Sequence, residues 1–412
     1  VAKILHIIPY RNLYPPQNGG ALRCFNLLKA LAAEHEVDVI VFQPKVEFIK
    51  SGPFYLPENV TIYNPINNEP SSLLHRFIPD RIADAIVYRY LVRSLKGPAD
   101  KTLLKIYSIL SQLLDSKNYD VIIFEHLQSM MAAKYIKKKF PHAKLILDAH
   151  NVDHILLAKE AETKKQSELM LRVIRRTKKI ESSLNDFIHA FVACSSKDEQ
   201  ILKNINMKGS LKSTVVPNGV DLDLKPYLDI KKLGNGIIFC GHLDTVANRE
   251  GLLWFCNSVL PLVIEQRPDA YLTVVGQGNE SKAFDTLKSK DGIVFTGRVD
   301  SVVPYYYENN VAVAPLTLGS GTRLKILEAM SLGNPVVSTT IGAEGVDYPT
   351  GTILLADEPI KFAGAILKLL EDASLAEKQR KLARAFVEDS FSWNKIGDKM
   401  NHFLKSLATN EK

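Results

Sequence analysis

Short apolar runs alternate with amphipathic stretches along nearly the whole chain. Lys3–Ile8 is a continuous apolar run and reads as a strand, and residues 20–34 carry apolar positions at helical spacing. The same pattern predicts strands at 36–42, 121–124, 144–148 and 191–194. It predicts helices from the end of strand 121–124 to about 139 and from 152 to about 185. Ser196 with Glu199 has the spacing of a capping box for the next helix. Residues 51–80 are richer in Pro and Asn and read as irregular. A second series begins after Pro217, with strands at Gly236–Cys240, 270–275, 293–295, Val311–Ala314 and 335–338. Its helices are expected at 248–259, 322–331 and from 360 onward.

Continuous apolar strands separated by helices imply parallel sheets covered on both faces. The expected fold is therefore α/β, with two Rossmann-like parallel-sheet domains. The turn-forming Pro217-Asn218-Gly219 marks the joint. The boundaries read as 1–218 and 219–390, with 391–412 returning to the first domain. In such sheets ligands sit beyond the carboxyl ends of strands, so a cleft between facing domains is the expected site.

Composition excludes several classes. The 412 residues are 46% hydrophobic and 24% charged, the balance of a globular protein rather than a disordered one. No apolar run reaches the roughly 18 residues of a membrane span. Val1 to Ile8 lacks the cleavage site of a signal peptide. Cys24, Cys194, Cys240 and Cys256 have no CxxC spacing, which argues against a zinc or redox motif and fits a reducing, cytoplasmic setting. Net charge is +7, with basic clusters at Lys137, Lys138, Lys139 and at Arg172, Arg175, Arg176, Lys178, Lys179. These read as a solvated helix face or as a peripheral contact with an anionic membrane, on its inner face. No RNA-binding or zinc-finger pattern with interleaved aromatics is present, so no nucleic acid partner is expected.

The chemistry concentrates in Ala314-Pro315-Leu316-Thr317-Leu318-Gly319-Ser320-Gly321-Thr322-Arg323-Leu324-Lys325-Ile326-Leu327-Glu328. A strand ends, a Gly-rich loop follows, and a helix begins, an arrangement that attracts anions. Arg323 and Lys325 add positive charge where the helix dipole disfavours it, which makes sense if a diphosphate fills the site. Lys325 and Glu328 are three apart and share a helix face, so one could hold phosphate while the other accepts from ribose hydroxyls; a surface Lys–Glu pair is the alternative. Gly276-Gln277-Gly278 is a bare GxG, and no GxGxxG opens either series, so a nicotinamide dinucleotide reading fails.

This stretch, continuing through Gly333-Asn334-Pro335 to Gly342-Ala343-Glu344-Gly345, resembles the donor-site signature of retaining GT-B glycosyltransferases of family 4, the exopolysaccharide-cluster type. Val216-Pro217-Asn218-Gly219-Val220-Asp221, Gly241-His242-Leu243-Asp244 and Thr296-Gly297-Arg298-Val299 are similar to further motifs of that family. The resemblance covers essentially 210–345, with weaker matches at Gly19-Gly20 and Asp148-Ala149-His150-Asn151-Val152. It implies a GT-B fold and transfer of a sugar from a nucleotide diphosphate sugar, UDP- or GDP-linked, to a glycan or lipid-linked acceptor held by the first domain. No cofactor or metal is implied; Asp221-Leu222-Asp223 lies in the joint and reads as linker. By resemblance Gly19, Gly20, Gly241, Arg298, Val299, Arg323, Leu324, Lys325 and Glu328 bind the donor nucleotide and phosphates. Gly319, Ser320, Gly321 and Thr322 then bind the donor sugar. His126 and His150 follow strands of the first domain and, with Glu328, are the catalytic candidates; either imidazole could instead serve a structural hydrogen bond. Asp148 could orient His150 or bind acceptor.

The pattern departs from the family at Ser320, where many members have a Glu, and in the loop holding His242 and Asn248, where many have Arg and Lys. A sugar-nucleotide epimerase on the same fold and a non-catalytic nucleotide-sugar binding protein are the alternatives.

Overall fold

The computed structural model describes residues 1–9, 13, 16, 19–41, 56–57, 59–63, 117–130, 133–162, 168–207, 209, 211–223, 225–228, 234–318 and 324–408. The chain forms two compact units, one of residues 1–217 and 396–412, the other of 218–395.

The first unit holds strands β1 (Lys3–Ile8), β2 (Glu36–Val41), β3 (Val60–Tyr63), β4 (Val121–Glu125), β5 (Lys144–Ala149), β6 (Ala190–Ala193) and β7 (Lys212–Val215). They form a parallel sheet in the order β3-β2-β1-β4-β5-β6-β7. Ile7 lies opposite Ile40 on one side and Phe124 on the other. The second unit holds β8 (Gly236–Cys240), β9 (Tyr271–Val275), β10 (Ile293–Gly297), β11 (Val311–Ala314), β12 (Val336–Ser338) and β13 (Leu354–Leu355). These are also parallel, in the order β10-β9-β8-β11-β12-β13. The central strands are buried on both faces because helices cover both, which is why they are apolar without alternation. Leu5, Phe124, Leu145 and Phe191 anchor one core; Phe239, Phe255, Leu272 and Phe362 anchor another.

Several expectations need correction. Val60–Tyr63 is an edge strand inside the segment read as irregular; its β-branched and aromatic residues favour pairing, and the surrounding Pro and Asn masked that signal. The remainder of 64–80 and most of 51–59 lie outside the described residues. Ser195, not Ser196, caps the helix Ser196–Ile205: its backbone is extended (φ −146°, ψ 158°) and its Oγ accepts from the Asp198 N–H at 3.1 Å. Ser195/Asp198 and Ser196/Glu199 share one spacing, and only the backbone conformation separates them. The stretch 152–185 divides into helices Asp153–Glu162 and Glu168–Glu181 and a 3₁₀ turn Leu184–Asp186. Helix 248–259 begins at Val246 and passes through a π-helical turn, Phe255–Val259, into Leu260–Gln266.

The last helix, Trp393–Ala408, carries the chain back into the first unit, where Asn401 Nδ2 donates to Ala30 O (3.2 Å) and Lys405 pairs with Glu34 (2.6 Å). Gly397 makes this approach possible, since a Cβ there would sit 2.4 Å from the Ala30 Cβ.

One buried charge ties the first unit together. Arg23, on the helix Gly19–Glu34, has no solvent exposure. Its Nε and Nη2 donate to Asp148 at 2.9 and 2.7 Å, and its Nη1 donates to the carbonyls of Val216 (2.8 Å) and Pro217 (3.1 Å). Burial opposes the guanidinium charge, but the Asp148 carboxylate more than offsets this and holds Arg23 above its ordinary value. Asp148 is thus committed to Arg23 rather than to His150, whose Nε2 lies 3.9 Å away. Arg23→Met would leave Asp148 buried and uncompensated, and is expected to cost about 3–5 kcal/mol. Calorimetric melting should show that loss, with partial recovery in Arg23→Met/Asp148→Leu; a single variant as stable as the parent would refute it.

Candidate functional site

In the second unit the ends of β8 and β9 are pressed together. Gly241 follows β8, and its N–H donates to Val275 O at 2.9 Å. Gly276 has φ +143°, and a Cβ there would meet Gly241 O at 2.0 Å, so only glycine fits. Into this corner reaches Lys325 from the helix Leu324–Ser331. Its Nζ donates to Asn248 Oδ1 (2.6 Å) and stands 4.4 Å from the centroid of the Phe239 ring. Asn248 in turn donates to His242 O at 2.8 Å. A Cβ on Gly241 would lie 2.9 Å from the Lys325 ammonium, so that glycine leaves the cation room.

Glu328 stands one turn further along the helix and pairs with Lys225. The surface Lys325–Glu328 pair considered as an alternative is therefore replaced by two separate partnerships. Lys225 went unnoticed in the sequence because it lies in the segment after the joint, 103 positions away. That segment is anchored: Arg384 Nη1 donates to Lys225 O (3.1 Å), and Arg380 Nη2 donates to Leu228 O (3.0 Å). Leu324 opens the helix and is half-buried. Arg298 is exposed and Val299 half-buried, just past β10. Gly319, Ser320, Gly321, Thr322 and Arg323 lie outside the described residues.

In the first unit Gly19 and Gly20 open the helix that carries Arg23. His126 and His150 come together, ring centroids 3.7 Å apart and planes inclined at 38°. His126 has φ +63°, the one non-glycine with positive φ among the described residues, and turns the chain directly from β4 into a short helix. Burial, then the neighbouring His150, pushes its imidazole down to about 3, so it is neutral.

Behind this pair sits Glu125, which sequence reasoning missed because it falls at the boundary between the strand read at 121–124 and the following helix, whereas it is the last residue of β4. It is fully buried, with Oε1 2.5 Å from His6 Nε2 and Oε2 2.6 Å from His150 Nε2. Burial alone would raise its pKa, but the hydrogen bonds from His150 and His6 hold it well below the usual carboxylate range. Cys24 Sγ lies 3.9 Å from His150 Nε2, and burial, then Glu125, holds the thiol well above its ordinary value. Potential ligand atoms of Cys24, Glu125 and His150 fall within 4.8 Å of one another. A protonated thiol and a carboxylate already engaged by two imidazoles make this a hydrogen-bonded cluster rather than a ready metal cage.

His126 and His150 line a small cavity together with Asn151, Asp153 and Glu181. Glu181 accepts from the N–H groups of Asp153 (2.7 Å) and His154 (3.3 Å) and also bonds the His154 imidazole. Burial, with the charge of Glu181, pushes Asp153 up to about 7. On the opposite face of the helix Glu168–Glu181, Arg172, Arg175, Lys178 and Lys179 are exposed, while Val173 and Thr177 are buried. Lys138 is also exposed, and Lys137 Nζ donates to Asp186 O at 3.4 Å; the side chain of Lys139 is not among those described.

The model of Glycosyltransferase Family 4 matches residues 17–224, half of the chain, and that of Glycosyl transferases group 1 matches residues 234–372. The chain is 29% identical over 168 residues to an uncharacterized 44.6 kDa protein in the cps region of Klebsiella pneumoniae, covering 39% of this chain and 43% of that protein. It is 28% identical over 159 residues to a GDP-mannose-dependent monoacylated alpha-(1-6)-phosphatidylinositol monomannoside mannosyltransferase of Corynebacterium glutamicum, covering 36% and 42%. The chain spans about half the length of the curated relatives it matches. Among solved structures, sucrose-phosphate synthase from Thermosynechococcus elongatus superposes with a TM-score of 0.70 at 18% identity, covering 99% of each chain. HepE of Anabaena in complex with UDP and glucose gives 0.65 at 16%, covering 98% of this chain and 100% of that one. These likenesses establish the fold as GT-B.

Asp153 supplies a pH signature. Its folded-state pKa of about 7 lies above the ordinary aspartate value of 3.8, so the folded chain keeps a proton that the unfolded chain releases. Stability from this group is present below about 4 and lost as pH rises through about 7. Melting temperatures of Asp153→Asn and parent, compared from pH 4 to 8, should diverge in the variant's favour as pH rises. A constant difference would show that Asp153 titrates normally.

Proposed function

The chain belongs to glycosyltransferase family 4, and from that premise we propose that it moves a sugar from a nucleotide diphosphate sugar to a glycan or lipid-linked acceptor. The observation that carries this reading is the corner at the end of β8. There a cation, Lys325, is held on Asn248 against a glycine that leaves it room, one helical turn from the carboxylate of Glu328. A diphosphate needs the first group and ribose hydroxyls suit the second. A nucleotide diphosphate leaves with its charge stabilised, and a fixed ammonium supplies that in the ground state and more strongly as charge develops. Gly241, Lys325, Glu328 and residues 319–323 are the proposed donor site, with Arg298 and Val299 beside the base.

The finer points rest on the same proposal. Transfer proceeds with retention, by same-face attack, without a metal. The first unit binds the acceptor, with Gly19 and Gly20 at the diphosphate and His126 and His150 at the transferred sugar. The exposed basic face of Glu168–Glu181 suits an anionic membrane and supports the reading of a cytoplasmic protein peripheral on the inner membrane face. HepE, a structural neighbour, is in complex with UDP and glucose, and a sequence relative is a GDP-mannose-dependent mannosyltransferase, so both bases belong in the first test.

Calorimetric titration with UDP- and GDP-linked sugars is expected to show saturable binding of one donor. Glu328→Ala and Lys325→Ala should each weaken it by about tenfold or more, the scale of one lost hydrogen bond to a charged group. Donor consumption with a glycan or lipid-linked acceptor then separates a transferase from a binding protein. A folded protein that binds no donor, or binds without consuming, refutes the transferase reading.

A further inference from the structure

Glu125 is tied to two imidazoles at once, and the geometry dictates which nitrogen each must present. An ionised carboxylate only accepts hydrogen bonds. His6 and His150 both approach it through Nε2, at 2.5 and 2.6 Å, so both carry a proton there. For His6 the other nitrogen is decided too. Its Nδ1 is buried with no hydrogen-bond partner among the described residues, and a proton on it would be an unsatisfied buried donor. His6 is therefore the neutral Nε2–H tautomer.

We propose that Glu125 is a positioning residue: it fixes His150 as an Nε2–H donor and sets the plane of its ring, so that Nδ1 is the nitrogen turned away from the carboxylate. The cavity lined by His150 and His126 inherits that orientation. His126 follows Glu125 directly, and its φ of +63° brings its ring to 3.7 Å from His150. The left-handed backbone at His126 is strained for a residue other than glycine. It persists because Glu125, one residue earlier, is locked inward by its two bonds. Cys24 from the helix Gly19–Glu34, whose thiol also hydrogen-bonds Glu125, and the Arg23–Asp148 pair stand beside it. His6, on β1, does not line the cavity; its service is to hold Glu125 from the far side.

This inference rests on the transferase reading only for its kinetic arm. In the full chain labelled with ¹⁵N-histidine, long-range proton–nitrogen spectra should show His6 and His150 as Nε2-protonated, with His150 assigned through His150→Asn. Glu125→Gln keeps the shape but replaces one acceptor by an N–H₂ donor. One of the two imidazoles must then present a bare nitrogen and move its proton to Nδ1. Glu125→Asp keeps the charge and should keep both tautomers, which separates a charge effect from misfolding. In turnover, Glu125→Gln should lower kcat by about 10–100-fold, the usual loss when the partner behind a functional imidazole is changed. KM for the donor should stay within about twofold, since no donor contact is removed. A parent protein with His150 bare at Nε2 would overturn the assignment. So would Glu125→Gln with unchanged tautomers and unchanged kcat, or stoichiometric zinc bound at His150. If the parent turns over no donor, the transferase reading falls while the spectra still decide the tautomers.

Discussion

The Arg23–Asp148 pair is the constraint around which the first unit is organised. A guanidinium with no solvent exposure is tolerable only if nearly every donor is used, and Arg23 uses three nitrogens on four oxygens. Those oxygens belong to β5 and to the chain as it leaves β7. A helix from the start of the chain is thereby tied to a strand 125 positions away and to the carbonyls of Val216 and Pro217. A replacement by apolar residues could fill the same volume, but would not specify the register so narrowly.

Committing Asp148 to Arg23 decides what the neighbouring polar groups can do. Two carboxylates, Asp148 and Glu125, stand at the ends of adjacent strands, paired in register on the sheet. One is neutralised by the guanidinium, which leaves the other to the imidazoles. The result is two layers: a structural ion pair, and beside it a hydrogen-bonded His6–Glu125–His150 chain whose outer ring lines a cavity. The second unit shows the same economy with other chemistry. Lys325 is held on the Asn248 amide and over the Phe239 ring. Glu328 has its own cation in Lys225.

Much of this was legible in the residues. Apolar strands interleaved with helices implied parallel sheets, and both sheets are parallel throughout. The segment from Ala314 to Glu328 drew attention because basic residues at a helix start run against the dipole unless an anion is present. Gly241 and Gly276 were noticed as motif letters, but their reason is space: a Cβ on Gly276 would meet Gly241 O at 2.0 Å, and one on Gly241 would meet Lys325 Nζ at 2.9 Å. What escaped were partners. Glu125 fell just beyond the strand read at 121–124, Lys225 lay just past the joint, and Asp153 and Glu181 fell within one long helical stretch. Each matters through a residue between 25 and 119 positions away, and spacing along the chain carries no trace of such contacts.

Periodicity is local physics, and it was enough to determine by sequence alone the class of fold and the positions of most strands. Backbone conformation separated Ser195 from Ser196 as a cap and made an edge strand of Val60–Tyr63, because cooperative hydrogen bonding, not composition, settles element ends. Which charges cancel, which imidazole nitrogen carries a proton and which lysine faces which acid were decided only by tertiary structure. Desolvation makes every buried polar group depend on a neighbour that the fold, not the chain order, brings within 3 Å.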